Sequence, residues 1–273
     1  MLSALKSGTY KGDVERQIKI IGDYFATKDK IISEDIYREL DYVPTSISQK
    51  AYDMIKLCHI KGGLAVFAGD AGIGKTKAAK QYVADNPNNS FYVALNPCVT
   101  SLKSVLKLLS AKIGARQEKS LDDMWMAIRA KLTDGTVIIF DEAQHLNYRP
   151  IEALRSFADS FAEDGQTVGF AFIGNTETVR KFGGVGQKAE FAQIANRTKL
   201  KMVYSVQKVQ RGDIELLFPV LKEKQMNAEI DFLLSFARTP QAIRGTVNLF
   251  SNAYDNADIS LKGLTKMAKA MAG

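Results

Sequence analysis

The sequence predicts an α/β fold in which a parallel β-sheet carries a phosphate-binding loop and a small helical domain follows. Residues 69–76 read GDAGIGKT, between an apolar run and a helix-forming stretch. Apolar strand-like runs then alternate with helical stretches to about residue 207, and the pattern is helical only from residue 208 onward. This alternation is typical of a parallel sheet that helices cover on both faces.

The pattern divides the chain into a helical N-terminal segment at residues 1–45, a nucleotide-binding α/β domain at 46–207 and a helical domain at 208–273. In the first segment, Val14, Ile18, Ile21 and Phe25 recur at helical spacing. Thr45 and Ser46 then cap a helix over about 47–60. We expect core strands at residues 64–68, 90–95, 136–140, 168–173 and 199–203, with helices at 75–84, 102–113, 121–132 and 150–161 between them.

Composition indicates a globular protein of the cytoplasm with no membrane partner. The 273 residues are 46% apolar and 25% charged, and no apolar run approaches the roughly 18 residues that span a bilayer. We expect Cys58 and Cys98 to be buried free thiols. The net charge of +7 suits a polyanionic partner such as DNA, although many basic proteins bind none.

The glycine-rich segment predicts binding of ATP with Mg²⁺. In a strand–loop–helix context, its backbone N–H groups cradle phosphates at the positive end of the helix. Lys75 can reach the outer phosphates and the Thr76 hydroxyl can ligate Mg²⁺. A structural glycine turn is the alternative. The candidate phosphate-binding residues are Gly69, Asp70, Ala71, Gly72, Ile73, Gly74, Lys75 and Thr76.

Polar residues follow two later strands. The apolar run at 137–140 ends in Asp141 and Glu142, and the run at 168–173 is followed by Gly174 and Asn175. We assign Asp141 to the Mg²⁺ shell, Glu142 to polarisation of the attacking water, and Asn175 to orientation of the water or the γ-phosphate. The alternatives are an acidic pair that caps a helix and a simple turn residue. Together with the phosphate loop, the carboxylate pair favours hydrolysis.

These motifs together resemble the AAA+ ATPases, and more narrowly the transposition-helper ATPases of the MuB and IstB family. The resemblance runs from about residue 8 to the C-terminus. It includes the spacing of both nucleotide motifs, the strand end at 173–175, the Phe-Gly-Gly at 182–184 and the stretch EFAQIANRT at 190–198. The last stretch is the most specific part of the match, because the nucleotide motifs alone fit many families.

The resemblance implies an AAA+ P-loop domain followed by a helical lid. Arg197 matches the arginine that reaches into a neighbouring subunit's ATP site, and Arg244 matches the lid arginine that senses the γ-phosphate. Plain surface arginines are the alternative. An arginine that acts between subunits implies a homo-oligomer, which for this family is a helical filament on double-stranded DNA. The family also implies a transposase as partner.

Several basic residues flank loops and are candidates for contacts with the DNA backbone, with little sequence specificity expected. The alternative is an ordinary solvated turn. Residues 2–13 resemble the end of a recognition helix, so the N-terminal segment is interpreted as the remnant of a helix-turn-helix domain. The candidates for DNA contact are Lys103, Arg116, Lys119, Arg149, Arg180, Lys181 and Lys188.

Three other functions are compatible with the nucleotide motifs. A helicase loader or an initiator-like ATPase shares them and acts on a helicase. A nucleotide-switched scaffold would bind a protein partner and no DNA. A small-molecule kinase is disfavoured by the pair Asp141 and Glu142 and by the absence of an obvious substrate lid.

Overall fold

Five parallel strands form one sheet at the centre of the molecule, so the predicted α/β fold class is confirmed. The computed structural model describes residues 12–33, 41–182 and 190–272. The strands are β1 (Gly63–Gly69), β2 (Ser90–Ala94), β3 (Thr136–Asp141), β4 (Val168–Gly174) and β5 (Thr198–Tyr204). Their order in the sheet is β2-β3-β4-β1-β5, and every neighbouring pair is parallel.

Helices connect the strands and follow the last one. Up to β5 they are α1 (Val14–Ser33), α2 (Ser46–Lys61), α3 (Lys75–Asp85), α4 (Leu102–Ile113), α5 (Leu121–Lys131), α6 (Tyr148–Glu163), α7 (Thr176–Lys181) and α8 (Glu190–Arg197). After β5 come α9 (Arg211–Leu217), α10 (Pro219–Glu223), α11 (Asn227–Ala237), α12 (Ala242–Asp255) and α13 (Leu261–Ala272). Short 3₁₀ turns lie at Ala143–His145 and Val206–Lys208.

Hydroxyl side chains set the start of three helices. Thr45, Ser101 and Ser120 precede α2, α4 and α5, and each hydroxyl accepts a hydrogen bond from the N–H three residues later. Such caps satisfy a backbone donor that the helix itself leaves unpaired. The helix starts are therefore encoded locally, which explains why the predicted starts of these helices agree with the structure to within one residue.

The two faces of the sheet carry different layers of helices. Alternate residues of a strand point to opposite faces, so Phe67 of β1 packs with α2, α3 and the C-terminal helices. Val66 faces the other way and packs with α4, α5 and α6. The helices after β5 therefore share one continuous core with the phosphate-loop side of the sheet.

The carboxyl edge of the sheet gathers the candidate site. β3, β4 and β1 are adjacent, so the chain leaves all three strands at neighbouring points of one edge. Ligands of open α/β sheets bind outside this edge. The loops after β1, β3 and β4 begin with Asp70, Glu142 and Asn175, which brings three separately predicted motifs together.

The expected burial of the two cysteines is confirmed for one of them and wrong for the other. Cys58 is buried as expected, but Cys98 is exposed, because it lies in the loop after β2 rather than on a core element.

The N-terminal helix α1 is helical as its spacing predicts, and Val14 and Ile18 on it are exposed. Residues 2–11, which carry most of the helix-turn-helix resemblance, lie outside the described residues. None of the helices in the described ranges has the length and apolarity needed to span a bilayer.

Candidate nucleotide-binding site

The glycine-rich loop joins β1 directly to α3. Gly69 ends β1 where a Cβ atom would lie 2.4 Å from the carbonyl oxygen of Tyr204, so no larger residue fits. Gly74 has a φ of 95°, in the left-handed region that glycine adopts without strain, and α3 begins at the next residue. The loop therefore turns its backbone N–H groups around the positive end of a helix, which is an anion-binding arrangement.

Lys75 folds back over this loop. Its Nζ donates hydrogen bonds to the carbonyl oxygens of Gly69, at 2.9 Å, and Asp70, at 2.6 Å. Burial lowers the pKa of Lys75, while the nearby carboxylates of Asp141, Glu142 and Asp70 act to raise it. The ammonium thus lies in a partly desolvated position beside several carboxylates, where a phosphate group would be a strongly favourable partner.

Asp141, at the end of β3, is the best-satisfied acid of the site. It is buried, and its Oδ2 accepts hydrogen bonds from Thr76 Oγ1 and from the Tyr92 hydroxyl, each at 2.7 Å. Its Oδ1 accepts from the backbone N–H of Glu142 at 2.9 Å. Burial and Asp141 together raise the pKa of Tyr92. A hydroxyl and a carboxylate oxygen in contact form an oxygen donor set that suits Mg²⁺.

Glu142 and Asn175 are joined through a third side chain, Gln144. Glu142 has a φ of 56°, an unusual backbone for a non-glycine residue, and its side chain is exposed toward the cavity. Gln144 Nε2 donates to Glu142 Oε2, and Gln144 Oε1 accepts from the N–H of Asn175 at 3.3 Å. Asn175 Oδ1 accepts from the N–H of Glu177 at 2.9 Å, so this side chain also caps α7.

A cavity of about 480 Å³ lies over the loop, within the roughly 300–1,000 Å³ that is typical of ligand sites. One end is polar, with the phosphate loop, Glu142 and Asn175. The other end is apolar and combines the segment before α2 with the C-terminal helices. The residues of this second end are Val43, Leu217, Ile243 and Val247. The sequence alone does not mark them as site residues, because apolar side chains of these types fill any core.

The C-terminal helices α9 and α12 form one wall of the cavity. The backbone N–H of Arg244 donates to the carbonyl oxygen of Gly72 at 3.1 Å, and the Arg244 side chain lines the cavity. A second link joins the start of α9 to the start of α2. There Asp213 accepts hydrogen bonds from the Ser46 backbone N–H, at 2.6 Å, and from its hydroxyl, at 2.7 Å. Segments on either side of the sheet strands in sequence, before β1 and after β5, thus contribute to one site.

Arg197 is placed differently from the other candidate residues. It ends α8, its side chain is 64% exposed, and it does not line the cavity of its own chain. Its Nη1 lies 3.9 Å from Oδ1 of Asp159 on α6, and Asp159 also pairs with Arg155. This exposed contact is weak in water. The Arg197 guanidinium is therefore exposed at the surface of the chain.

The basic candidates fall into two groups by position. Lys103, Arg149 and Arg180 lie in the first two turns of the helices that follow β2, β3 and β4, at the carboxyl edge of the sheet, and all three are exposed. Arg116 and Lys119 lie within the crossover between α4 and α5, where Arg116 pairs with Glu118 at 3.0 Å. The structure therefore does not bring all of the basic candidates to one surface.

Lys181 is half-buried and directs its charge inward. Its ammonium donates hydrogen bonds to the carbonyl oxygens of Gln144 and Leu146, and burial lowers its pKa. A group held in this way supports the turn after β3 rather than an external phosphate. The remaining candidate, Lys188, lies outside the described residues.

Comparisons with known proteins agree with this geometry. A family model described as an AAA domain matches residues 59–182. The chain is 27% identical over 221 residues to the Mu-like prophage FluMu DNA transposition protein B of Haemophilus influenzae. This alignment covers 78% of this chain and 72% of the relative. It is 25% identical over 259 residues to the ATP-dependent target DNA activator B of Escherichia phage Mu, with 88% and 78% covered.

The chain is thus similar over most of its length to Mu-type transposition proteins B, and it contains an AAA domain. The resemblance stated from the sequence is thereby confirmed.

Among solved structures, the chain resembles the Aeropyrum pernix ORC2 protein in its ADPNP–ADP complexes. The TM-score is 0.57 at 14% identity, over 87% of this chain and 70% of the other. At that identity the likeness concerns the fold alone. It agrees with the parallel sheet and its flanking helices.

Proposed function

We propose that this protein is a Mg²⁺-dependent ATPase that oligomerises on double-stranded DNA with ATP, delivers that DNA to a transposase and stimulates transposition. The carrying observation is a chain similar to the Mu transposition proteins B in which the phosphate loop, Glu142 and Arg244 line one cavity. The second strand-end carboxylate, Asp141, is bonded to Thr76 of the loop. We further propose the division into residues 1–45, 46–207 and 208–273, with the last as the lid, and action in the cytoplasm of a bacterial or phage-infected cell.

In this proposal the ATP phosphates bind the loop from Gly69 to Thr76, with Lys75 exchanging its carbonyl partners for phosphate oxygens. Thr76 and Asp141 would hold Mg²⁺, since their oxygens already lie in contact. The metal supplies neutralisation of phosphate charge. Glu142 takes a proton from the attacking water, and Asn175 orients that water or the γ-phosphate. The base would lie in the apolar end beside Val43 and Ile243.

Assembly completes the site in the proposal. Arg244 senses the γ-phosphate within the subunit, since it lines the same cavity as the phosphate loop. Arg197 reaches the ATP of a neighbouring subunit, where a guanidinium stabilises charge on the transferring phosphoryl group. Its exposure and its distance from its own cavity support this role. Hydrolysis then depends on oligomerisation, as in a helical filament, and loss of ATP releases the DNA.

The DNA in turn would lie along the carboxyl edge of the sheet, near Lys103, Arg149 and Arg180, which are exposed and follow adjacent strands. Such contacts read charge and backbone shape, so binding would be largely independent of sequence. Arg116 and Lys119 are secondary candidates because they lie in another part of the fold. Lys181 has the weakest support, since its ammonium is already bonded within the chain.

The helicase-loader or initiator function is not favoured. The ORC2 structure shares only the fold, at 14% identity, whereas the transposition proteins align in sequence over most of both chains.

The direct test measures DNA binding and strand transfer together. We expect salt-sensitive binding to duplex DNA that requires ATP, and stimulation of a cognate Mu-type transposase on the bound DNA. Lys75→Ala is the variant, and Lys56→Ala, at an exposed lysine of α2, is the matched control. Nucleotide-independent DNA binding, or no stimulation of strand transfer by an active ATPase, would contradict the proposal.

A further inference from the structure

Gln144 connects the ends of two neighbouring strands with a single side chain. It is half-buried in the 3₁₀ turn after β3 and lines the nucleotide cavity. Its amide nitrogen donates to Glu142, at the end of β3, and its amide oxygen accepts from the backbone of Asn175, at the end of β4. Both hydrogen-bonding functions of the amide are therefore used across the gap between the strands.

The surroundings hold this amide in place from two sides. A Cβ atom at Gly174 would lie 2.5 Å from Gln144 Oε1, so the strand end leaves room for the amide and for no side chain of its own. On the backbone side, the Lys181 ammonium donates to the carbonyl oxygens of Gln144 and Leu146. The turn and the side chain it carries are thus fixed independently of any bound nucleotide.

We propose that Gln144 is a positioning residue for ATP hydrolysis, holding the carboxylate of Glu142 in register with the tip of β4 at Asn175. This inference rests on the proposed function, in which Glu142 polarises the attacking water. The Gln144 amide occupies Oε2 of Glu142, and within the described part of the chain Oε1 accepts no hydrogen bond, which leaves it for water.

The physical gain is orientation without loss of charge. A free glutamate side chain samples many rotamers, and ordering it at the moment of reaction costs conformational entropy. A neutral amide fixes the carboxylate in advance and does not compensate its negative charge. A lysine or arginine partner would compensate that charge and make the carboxylate a weaker base. Because the same amide accepts from Asn175, a shift of the β4 tip also shifts the Glu142 carboxylate.

The test is a double-mutant cycle on ATP turnover by the full chain with duplex DNA. Gln144→Leu should lower kcat by roughly 10- to 100-fold, since a displacement near 1 Å can cost about 100-fold, while KM for ATP changes by less than about threefold. In the Glu142→Gln background the same change should have almost no further effect, because Gln144 acts through Glu142. Gln166→Leu, at an exposed loop glutamine, is the matched control.

The variant Gln144→Glu adds a second measurement, the pH dependence of kcat, which would not change if Gln144 only stabilised the fold. A carboxylate at this position repels Glu142, whereas its protonated form can donate to it again. The kcat of this variant, relative to the unmodified protein, should therefore rise as the pH falls from about 8 to 6. It also keeps the test informative if the leucine variant does not fold.

The outcomes separate this inference from the proposed function. Normal turnover of Gln144→Leu beside an inactive Glu142→Gln would overturn the positioning role alone, and so would losses that multiply in the double mutant. A flat relative kcat for Gln144→Glu across that pH range would do the same. Normal turnover of Glu142→Gln would instead remove the proposed water-activating residue, and this inference with it.

Discussion

Thr76 Oγ1 donates a 2.7 Å hydrogen bond to Asp141 Oδ2, joining the first turn of α3 to the end of β3. The two residues are 65 positions apart and belong to the two nucleotide motifs. Their contact fixes the distance between the phosphate loop and the acidic strand end before any ligand binds. A site preorganised in this way loses little free energy to rearrangement when nucleotide enters.

Removal of the Tyr92 hydroxyl should weaken the fold through Asp141. Tyr92→Phe takes one of the donors from a buried carboxylate, and we expect a loss of about 1–2 kcal/mol in the free energy of unfolding. Urea unfolding without nucleotide measures it. Tyr204→Phe is the control, because the Tyr204 ring stacks on Phe67 and the described contacts give its hydroxyl no hydrogen bond, so its loss should stay within about 0.5 kcal/mol. Equal losses in the two variants would contradict the role given to Tyr92.

Lys75→Ala should abolish binding of ATP and all assembly that depends on it. The lysine is the cation held beside Gly69 and Asp70 of the loop, a place that neither of the other cations lining the cavity, Lys77 and Arg244, occupies. We expect an ATP affinity at least 100-fold lower by fluorescence titration, and no filaments on duplex DNA in electron micrographs. Filaments that form normally with ATP would refute the assignment of the phosphate site.

Arg197→Ala should bind ATP and assemble yet hydrolyse slowly. Loss of such an arginine costs roughly 1,000-fold or more in kcat where it acts on the phosphoryl group. Mixing with Glu142→Gln should restore part of the turnover, because that variant keeps Arg197 and assembles beside an intact Glu142. A donor that carries both changes, Arg197→Ala and Glu142→Gln, should restore none. Equal turnover with the two donors would show that Arg197 does not act between subunits.

The exposed basic residues at the carboxyl edge should set the salt dependence of DNA binding. Lys103→Ala together with Arg149→Ala should reduce the slope of log K against log salt by about 2 if each side chain contacts one phosphate. Arg116→Ala, in the crossover between α4 and α5, should change the slope less. A larger effect of Arg116 would shift the proposed DNA path toward that crossover.

The two cysteines should differ sharply in reactivity toward a thiol reagent. Cys58 is buried and its pKa is raised to about 12 by desolvation, so its thiol stays protonated and shielded in the folded protein between pH 7 and 9.5. Cys98 is exposed. Titration should give one fast thiol in the native state and two in denaturant. Two fast native thiols would contradict the burial of Cys58, and Cys98→Ser should leave none.

The sequence was most informative where function depends on short contiguous segments. The phosphate loop, Asp141 and Asn175 stand at strand ends, and the order of elements alone brings such ends to one edge. Tyr92 and Gln144 could not be found in this way. The contact of Tyr92 with Asp141 depends on the register of β2 against β3, in which Ala94 lies opposite Asp141. The role of Gln144 depends on the spacing of two loops that the sequence does not define.

The apolar residues of the cavity could not be found from the sequence either, because they come from segments that are far apart in the chain. Val43 and Leu217 lie on segments that are distant in the chain, and each carries a residue type that fills any core. Only the packing of the C-terminal helices against the segment before α2 makes them neighbours. Lys181 shows that the sequence can also suggest a contact that the structure disfavours. Beside a glycine-rich segment it reads as a candidate for DNA contact, but its ammonium turns inward and bonds two carbonyl oxygens.

The hydrogen bonds between Ser46 and Asp213 carry a consequence for biosynthesis. They join residues 167 positions apart, and ribosomes add about 5–20 residues per second. The phosphate loop ends at Thr76, so at that rate a nascent chain holds the loop for roughly 7 to 27 seconds before Asp213 is made. During that interval the apolar wall that the C-terminal helices later cover is open to water, which makes the half-made chain a substrate for chaperones and a hazard for aggregation.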